Sequence, residues 1–367
     1  MVPQLEGRAR LTPVSFAEFP GFAADDHALA LETFLVSCRR MAAAPLDPSS
    51  VGDALATALR RVCTAAQETP IDAQSARSFF ERNFQPVRIE PVREGAPEAG
   101  FVTGYYEPVI EASETRTDAF SEPALARPDD LVTTTFTVAG EVYTAGRVTA
   151  GGDLQPYPSR AEIEADPAYR PIAWLRDGIE LFMVQVQGSA RVKFADGRTA
   201  RLRYAGKNGH PYTSIGKLLN ERGEIPLAEM SLDSLKAWVR KAGQGPGERG
   251  RALLHENRSY VFFDLAHDAS DQGPLGGEGV PLTPLRSLAV DRSIWPYGLP
   301  VWIEGRVPDE TGSDAPFARL MVAQDTGSAI VGPARGDIYV GSGDAAGRRA
   351  GLIRHRIGFT VLLPRPE

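Results

Sequence analysis

Met321–Gly347 reads MVAQDTGSAIVGPARGDIYVGSGDAAG. An apolar run, Leu320–Ala323, leads into a segment crowded with glycine that carries two aspartates, Asp325 and Asp337. Apolar β-formers followed by Gly, Ser and Pro read as a strand that opens into a loop. Glycine lets backbone approach a ligand closely and carboxylates carry protons, so the segment reads as the floor of a site.

The same texture extends outward to both sides. FVTGYYEPVIEASE (101–114), LVTTTFTVAGEVYTA (131–145), IELFMVQVQGSARVKF (179–194), GRTARLRYAG (197–206), SYVFFDL (259–265) and FTVLLP (359–364) alternate or run apolar with β-branched residues. The 36 glycines and 29 prolines fall mostly between these short runs. A doubly wound sheet needs long alternating helices, so the pattern predicts a barrel or sandwich. Only the N-terminal part differs. HALALETFLVSCRRM (27–41), VGDALATALRRVCTAAQ (51–67) and SARSFFERNF (75–84) place apolar residues three and four apart, which predicts helices, with Ser49 and Ser50 as cap candidates for the second. Short helices are also predicted at SIGKLLNERG (214–223) and SLDSLKAWVRKAG (231–243). The turn-rich KAGQGPGERGR (241–251) reads as a linker between structural units.

The chain has 367 residues, which favours two domains or one domain with a large insertion. A formal net charge of −7 argues against nucleic acid or an anionic membrane as main partner, since both need a basic face. No apolar run is long enough to span a bilayer. The opening MVPQLEGRAR has no apolar core and is not read as a signal peptide. That leaves a cytosolic protein or a mature fragment as the two readings. Cys38 and Cys63 are read first as two buried thiols; a single disulfide between neighbouring helices is the alternative and implies an oxidising compartment. The five histidines show no ligand spacing, so neither metal nor other cofactor is expected.

Several constellations could carry chemistry. In VQVQGSARVKF, Gln185, Gln187 and Ser189 fall on one face if the segment is a strand. Amides and hydroxyls suit sugar recognition, although a sheet with one wet face gives the same pattern. Tyr105 and Tyr106 beside Gly104 could stack on sugar rings or pack in a core. Glu107 and Asp291 are further carboxylates in apolar surroundings, and Arg292 is a natural ion-pair partner for Asp291. Asn257-Arg258-Ser259 fits a glycosylation sequon, but such tripeptides arise often by chance. Asp325-Thr326-Gly327-Ser328 is the tetrapeptide of pepsin-like proteases, but such enzymes need two aspartates sharing a proton and no second copy exists here.

Seven segments taken together resemble one family, the membrane-bound lytic murein transglycosylase A (MltA) type. They are TGYYEP (103–108), YPSRAEIE (157–164), FMVQVQGSARV (182–192), YAGKNGHPYTSIGKLL (204–219), NRSYVFF (257–263), GPLGGEGVPLTPLRSLAVDRSIWPYGLPVW (273–302) and AQDTGSAIVGPARGDIYVGSGDAAGRRAG (323–351). The resemblance implies a mainly β chain with N-terminal helices. A double-psi β-barrel domain (1–107 plus 257–367) would be interrupted by a smaller inserted β-domain (108–256), with a groove between them for a peptidoglycan glycan strand. It implies non-hydrolytic cleavage of the β-1,4 MurNAc–GlcNAc bond, leaving a 1,6-anhydro-MurNAc end. By motif position Asp337 is the acid and then the base, Asp325 and Asp291 are supporting acidic groups, and Thr103 is a groove hydroxyl. Tyr105, Tyr106, Gln187 and Ser189 are assigned to sugar binding. A periplasmic location, with outer-membrane association as an option, follows from the substrate alone. Arg335 lies two residues before Asp337 and would lower its pKa if it pointed inward; it is expected to face substrate or solvent. The competing functions are a non-catalytic, expansin-like glycan binder, a hydrolase, and an aspartic protease.

Overall fold

The computed structural model describes Leu5 and residues 7–43, 53–93, 96–267 and 272–366. The chain divides into two compact units, Met1–Tyr106 with Gln272–Glu367, and Glu107–Asp271.

The first unit begins with strand β1 (Ala9–Pro13) and helices α1 (His27–Ala43), α2 (Asp53–Gln67) and α3 (Ala73–Asn83). Ser49 and Ser50 lie outside the described residues. Asp72 caps α3 by accepting from the backbone N–H groups of Gln74 and Ser75 at 3.0 and 2.8 Å. The buried face of α1 carries Ala30, Leu31, Phe34 and Cys38, the helical spacing read from the sequence. Phe34 meets the rings of Phe79, Phe80 and Phe84 with centroids 5.9–6.2 Å apart. Burying one such side chain is worth about 1.5–3 kcal/mol. Cys38 and Cys63 are not two thiols: they form a disulfide that ties α1 to α2. Their positions on the facing sides of two neighbouring helices make the bond possible, and sequence alone does not give that pairing. Strands β2 (Phe84–Arg93), β3 (Ala96–Pro97) and β4 (Gly100–Glu107) follow.

The second unit contains β5 (Val109–Glu111), β6 (Glu122–Leu125), β7 (Phe136–Val138), β8 (Glu141–Tyr143), β9 (Gly146–Val148), β10 (Leu154–Pro156), helix α4 (Arg160–Ala165), β11 (Pro171–Leu175) and helix α5 (Gly178–Gln187). It continues with β12 (Ser189–Lys193), β13 (Thr199–Lys207), helices α6 (Ile215–Glu221), α7 (Leu232–Lys241) and α8 (Arg249–Glu256), and β14 (Val261–Ala266). Four strands make its main sheet in the order β14-β13-β12-β5. One core packs Leu181, Val184, Val192, Leu202 and Phe263; a second packs Ile179 and Phe182 against Leu219, Val239 and Leu253.

Two sequence expectations fail in this unit. The alternating run IELFMVQVQ is helix α5, so Gln185 and Gln187 do not share a strand face with Ser189. Asp177 caps the helix by accepting from Glu180 N–H at 3.0 Å, and Gly188 ends it with a left-handed φ of 82°. Ile179 and Leu181–Val184 are all buried, and a helix buried on most sides loses the apolar period that would identify it. The segment 241–251 is no linker between units: it joins α7 to α8 inside the second one. Asn257 of the sequon is buried, and its side-chain oxygen accepts from the Thr213 and Ser259 N–H groups.

The chain returns to the first unit with β15 (Ser287–Val290), β16 (Pro300–Pro308), β17 (Asp314–Asp325), β18 (Arg335–Ser342), helix α9 (Asp344–Leu352) and β19 (Arg354–Pro364). These strands and β4 run in the order β19-β16-β17-β15-β18-β4, and β19 also pairs with β4, which closes a six-stranded barrel. β15 is parallel to β17 and antiparallel to β18. The barrel interrupted by an inserted unit is the architecture the family resemblance implies, and the inserted unit mixes short strands with helices α4–α8. Leu288, Trp302, Leu320, Val322, Ile338, Phe359 and Val361 are among its fully buried residues. A buried bidentate ion pair, Arg286 to Asp25 at 2.8 Å for each bond, fastens the N-terminal segment to the barrel. The glycine-rich tail of the opening segment is more regular than its composition predicts. Asp337 sits on β18 rather than in a loop, and GSGDAAG leads into α9.

Candidate active site

The barrel's strand order brings distant residues together. Thr103 and Tyr105 lie two apart on β4 and so share a face. Asp325 is the last residue of β17, and Asp337 pairs with Ala289 across β18 and β15.

Asp337 is partly buried, and Thr103 Oγ1 donates to its Oδ1 at 2.5 Å. Arg335 does not simply face outward. One guanidinium nitrogen donates to Thr103 Oγ1 at 2.8 Å, another donates to the Gly336 carbonyl, and its charge lies 5.5 Å from the Phe101 ring centroid. Two residues apart on an extended strand, Arg335 and Asp337 do share a face, and Thr103 stands between them. Because arginine only donates, it occupies a lone pair of Thr103 and leaves the hydroxyl hydrogen for Asp337. Burial lifts the Asp337 carboxyl to about 6; the Thr103 bond and the Arg335 charge pull it down, and the Asp325 charge pushes it up.

Asp325 is a hub of a different kind. Tyr105 donates to its Oδ2 at 2.7 Å, while the backbone N–H groups of Gly277 and Thr326 donate to Oδ1 at 2.7 and 2.8 Å. Burial raises its pKa, and these three bonds oppose that rise. The Tyr105 hydroxyl is pushed well up by burial and by Asp325, so it stays a donor. A Cβ at Gly277 would lie 2.3 Å from the Tyr297 hydroxyl, so any larger residue there requires that ring to shift.

Asp291 is buried and holds a turn. It accepts from the N–H and hydroxyl of Ser293 at 2.9 and 2.6 Å and from Gly332 N–H at 2.7 Å. Arg292 lies over the Tyr297 ring, 3.8 Å from its centroid, and donates to the Trp295 carbonyl. Tyr106 is buried with its ring against Gly347. Gln187 and Ser189 belong to the second unit, at the end of α5 and the start of β12. Glu107 is fully buried and accepts from Arg201 at 2.6 Å, a structural pair.

The structure thus unites Thr103, Tyr105, Asp325 and Asp337 in one cluster. Sequence reading missed the Gly277 N–H, because a backbone donor leaves no side-chain signature; the Gly-Gly-Glu-Gly run at 276–279 was its available signal. Among the described residues no three His, Cys, Asp or Glu side chains are placed to hold a metal ion, and no helix is long and apolar enough to cross a membrane.

Residues 101–264 match the family model described as the MltA specific insert domain, and residues 286–363 match the 3D domain. The membrane-bound lytic murein transglycosylase A of Escherichia coli (strain K12) is 38% identical over 281 residues, spanning 74% of this chain and 68% of that protein. Its counterpart in Vibrio cholerae is 36% identical over 261 residues, 69% of this chain and 62% of that protein. Among solved structures, a membrane-bound lytic murein transglycosylase from Agrobacterium tumefaciens superposes with a TM-score of 0.84 at 36% identity, covering 97% of this chain and 98% of that one. The Escherichia coli MltA with bound chitohexaose gives a TM-score of 0.67 at 30% identity, with 97% and 95% covered. With this identity over most of its length, the chain belongs to the membrane-bound lytic murein transglycosylase A family.

Proposed function

We propose that this protein is a peptidoglycan lytic transglycosylase in which Asp337 alone serves as acid and then as base. The observation that carries the reading is the Asp337 carboxyl, held near 6 by burial while one oxygen is engaged by Thr103. A group with a pKa close to the working pH can give a proton and take one back. With Oδ1 accepting from Thr103, the acidic proton resides on Oδ2, which is the oxygen left to meet the substrate.

The steps balance without water. Asp337 gives its proton to the glycosidic oxygen as the bond from MurNAc C1 to that oxygen breaks. The resulting carboxylate takes the proton of the C6 hydroxyl, and O6 bonds to C1, closing the 1,6-anhydro ring and restoring the acid. A second carboxylate nucleophile, as in ordinary glycosidases, is unnecessary because the nucleophile is tethered to the substrate at high effective concentration. Asp325, kept ionisable by Tyr105, Gly277 and Thr326, supplies negative charge beside the cationic sugar centre. Tyr105, Tyr106, Gln187 and Ser189 remain the residues proposed to contact sugars, and Asp291 shapes a turn within the barrel unit.

The barrel unit would carry the chemistry and the inserted unit would add to glycan binding. A periplasmic location suits both the substrate and the Cys38–Cys63 disulfide, which forms in oxidising compartments. Mass spectrometry of sacculi digested with the purified protein tests the reading. Muropeptides ending in 1,6-anhydro-MurNAc support it; reducing ends would indicate hydrolysis, and bound but uncut glycan would indicate a binding protein.

A further inference from the structure

Glu278 is a buried carboxylate that the mechanism above does not use. It follows Gly277, whose N–H caps Asp325, in the turn Gly276–Gly279. Its own N–H donates to the Gln324 carbonyl at 3.1 Å, so main chain ties the turn to the residue preceding Asp325. Its carboxyl reaches the other way. Ser37 of α1 donates to Oε2 at 2.7 Å, and Arg40 of α1 donates to the Glu278 carbonyl at 3.2 Å. Oε1 is buried with no hydrogen-bond partner among the described residues.

The contacts continue on the far side of Ser37. Gln324 Nε2 donates to Ser37 Oγ and to the Thr33 carbonyl, each at 3.0 Å, and its Oε1 accepts from Ser287 at 2.6 Å. Thr283 N–H donates in turn to Ser287 Oγ at 2.7 Å. One buried hydrogen-bonded chain therefore runs from β15 through Gln324 and α1 to Glu278. It fixes both things that Asp325 depends on: the end of β17 and the turn that presents the Gly277 N–H.

We infer that Glu278, gripped by Ser37, is a positioning residue that holds the Gly277 N–H on Asp325 and so sets the charge Asp325 presents to Asp337. The inference rests on the reading of Asp337 and Asp325 as the reacting centre. The groups that surround the parts are few. Glu278 feels Arg40 and Arg292; Asp325 meets Tyr105 and, nearby, Tyr297; Asp337 meets Arg335 and Asp325. Burial lifts Glu278 to about 7, so near neutrality glutamine is a close mimic of its protonated form.

Losing the Gly277 N–H should make Asp325 harder to ionise. Less negative charge beside Asp337 lets that carboxyl ionise at lower pH. The test is the pH profile of kcat for release of 1,6-anhydro products from purified peptidoglycan, measured for Asp325→Asn, Glu278→Ala, Glu278→Gln and Ser37→Ala. The inference expects the Asp337 limb to move to lower pH in Asp325→Asn and in Glu278→Ala, by on the order of half a unit. Glu278→Gln, which still accepts from Ser37, should keep the parent profile. Ser37→Ala, which keeps the charge and loses the grip, should move it in the same direction, and it carries the test where Glu278→Ala fails to fold. A limb that moves in Asp325→Asn but stays in place in Glu278→Ala and Ser37→Ala overturns the inference alone. Equal movement in Glu278→Gln and Glu278→Ala reduces Glu278 to a bystander charge and also overturns it. A limb unmoved in Asp325→Asn overturns the reading of the site, and the inference with it.

Discussion

The Thr103 hydroxyl donates to Asp337 at 2.5 Å, and Arg335 donates to that same hydroxyl at 2.8 Å. The bond stabilises the ionised carboxyl. A hydrogen bond to a charged group is worth about 1.5–3 kcal/mol, which corresponds to roughly one or two pKa units. Thr103→Val removes it and leaves the Arg335 guanidinium with one acceptor fewer. The Asp337 limb of the kcat–pH profile should then rise by about one unit, which leaves more of the acid protonated at neutral pH. Thr103→Ser should keep the parent profile.

Glu278 and Asp337 both have folded pKa values raised by burial, to about 7 and about 6. A carboxyl raised in the folded state makes the folded protein bind more protons than the unfolded chain, so stability falls as pH rises through the folded value. The Glu278 contribution is complete below its ordinary 4.5 and is lost by pH 7 and above. Urea unfolding at pH 5 and pH 8 should show Glu278→Gln gaining stability over the parent at pH 8 and little at pH 5. Equal effects at the two pH values would contradict this.

Glu107 and Arg201 form a buried ion pair at 2.6 Å. Glu107→Ala leaves the arginine charge buried without this partner, and such losses cost about 3–5 kcal/mol. A fall in Tm of this origin should be largely reversed by adding Arg201→Met. A double variant as unstable as the single one would argue against the pair as the cause.

The Cys38–Cys63 disulfide closes a loop with a sequence separation of 25. Chain entropy alone then gives about 3–4 kcal/mol of stability. Denaturant unfolding with and without reductant, and with Cys38→Ser, should show a loss of that order.

What the sequence made legible follows from where each signal lives. The barrel strands announce themselves because Leu320–Ala323 and Phe359–Leu363 are β-forming runs bounded by turn residues. The N-terminal helices do so because Leu31, Phe34 and Cys38 recur at helical spacing over long segments. Helix α5 hides because it is apolar on most faces, although Asp177, Glu180 and Gly188 mark its ends. Helix α9 hides behind its glycines. The site is less legible still. Thr103 and Asp337 are 234 residues apart, and Tyr105 and Asp325 are 220 apart. Family resemblance, rather than any local pattern, put Thr103 beside the aspartates. The Gly277 N–H and the Gln324–Ser37–Glu278 chain belong to the tertiary structure alone.

The central claim is that one carboxyl, Asp337, does the work of two. Its most direct test is Asp337→Asn, an isosteric change that keeps an acceptor for Thr103 and removes the proton. The quantity to measure is the rate of 1,6-anhydro-muropeptide release from purified peptidoglycan, with Tm and glycan binding followed in parallel. The account predicts a fall of about a hundredfold or more, with folding and binding preserved. Near-parental release of anhydro products by a folded Asp337→Asn protein would contradict it.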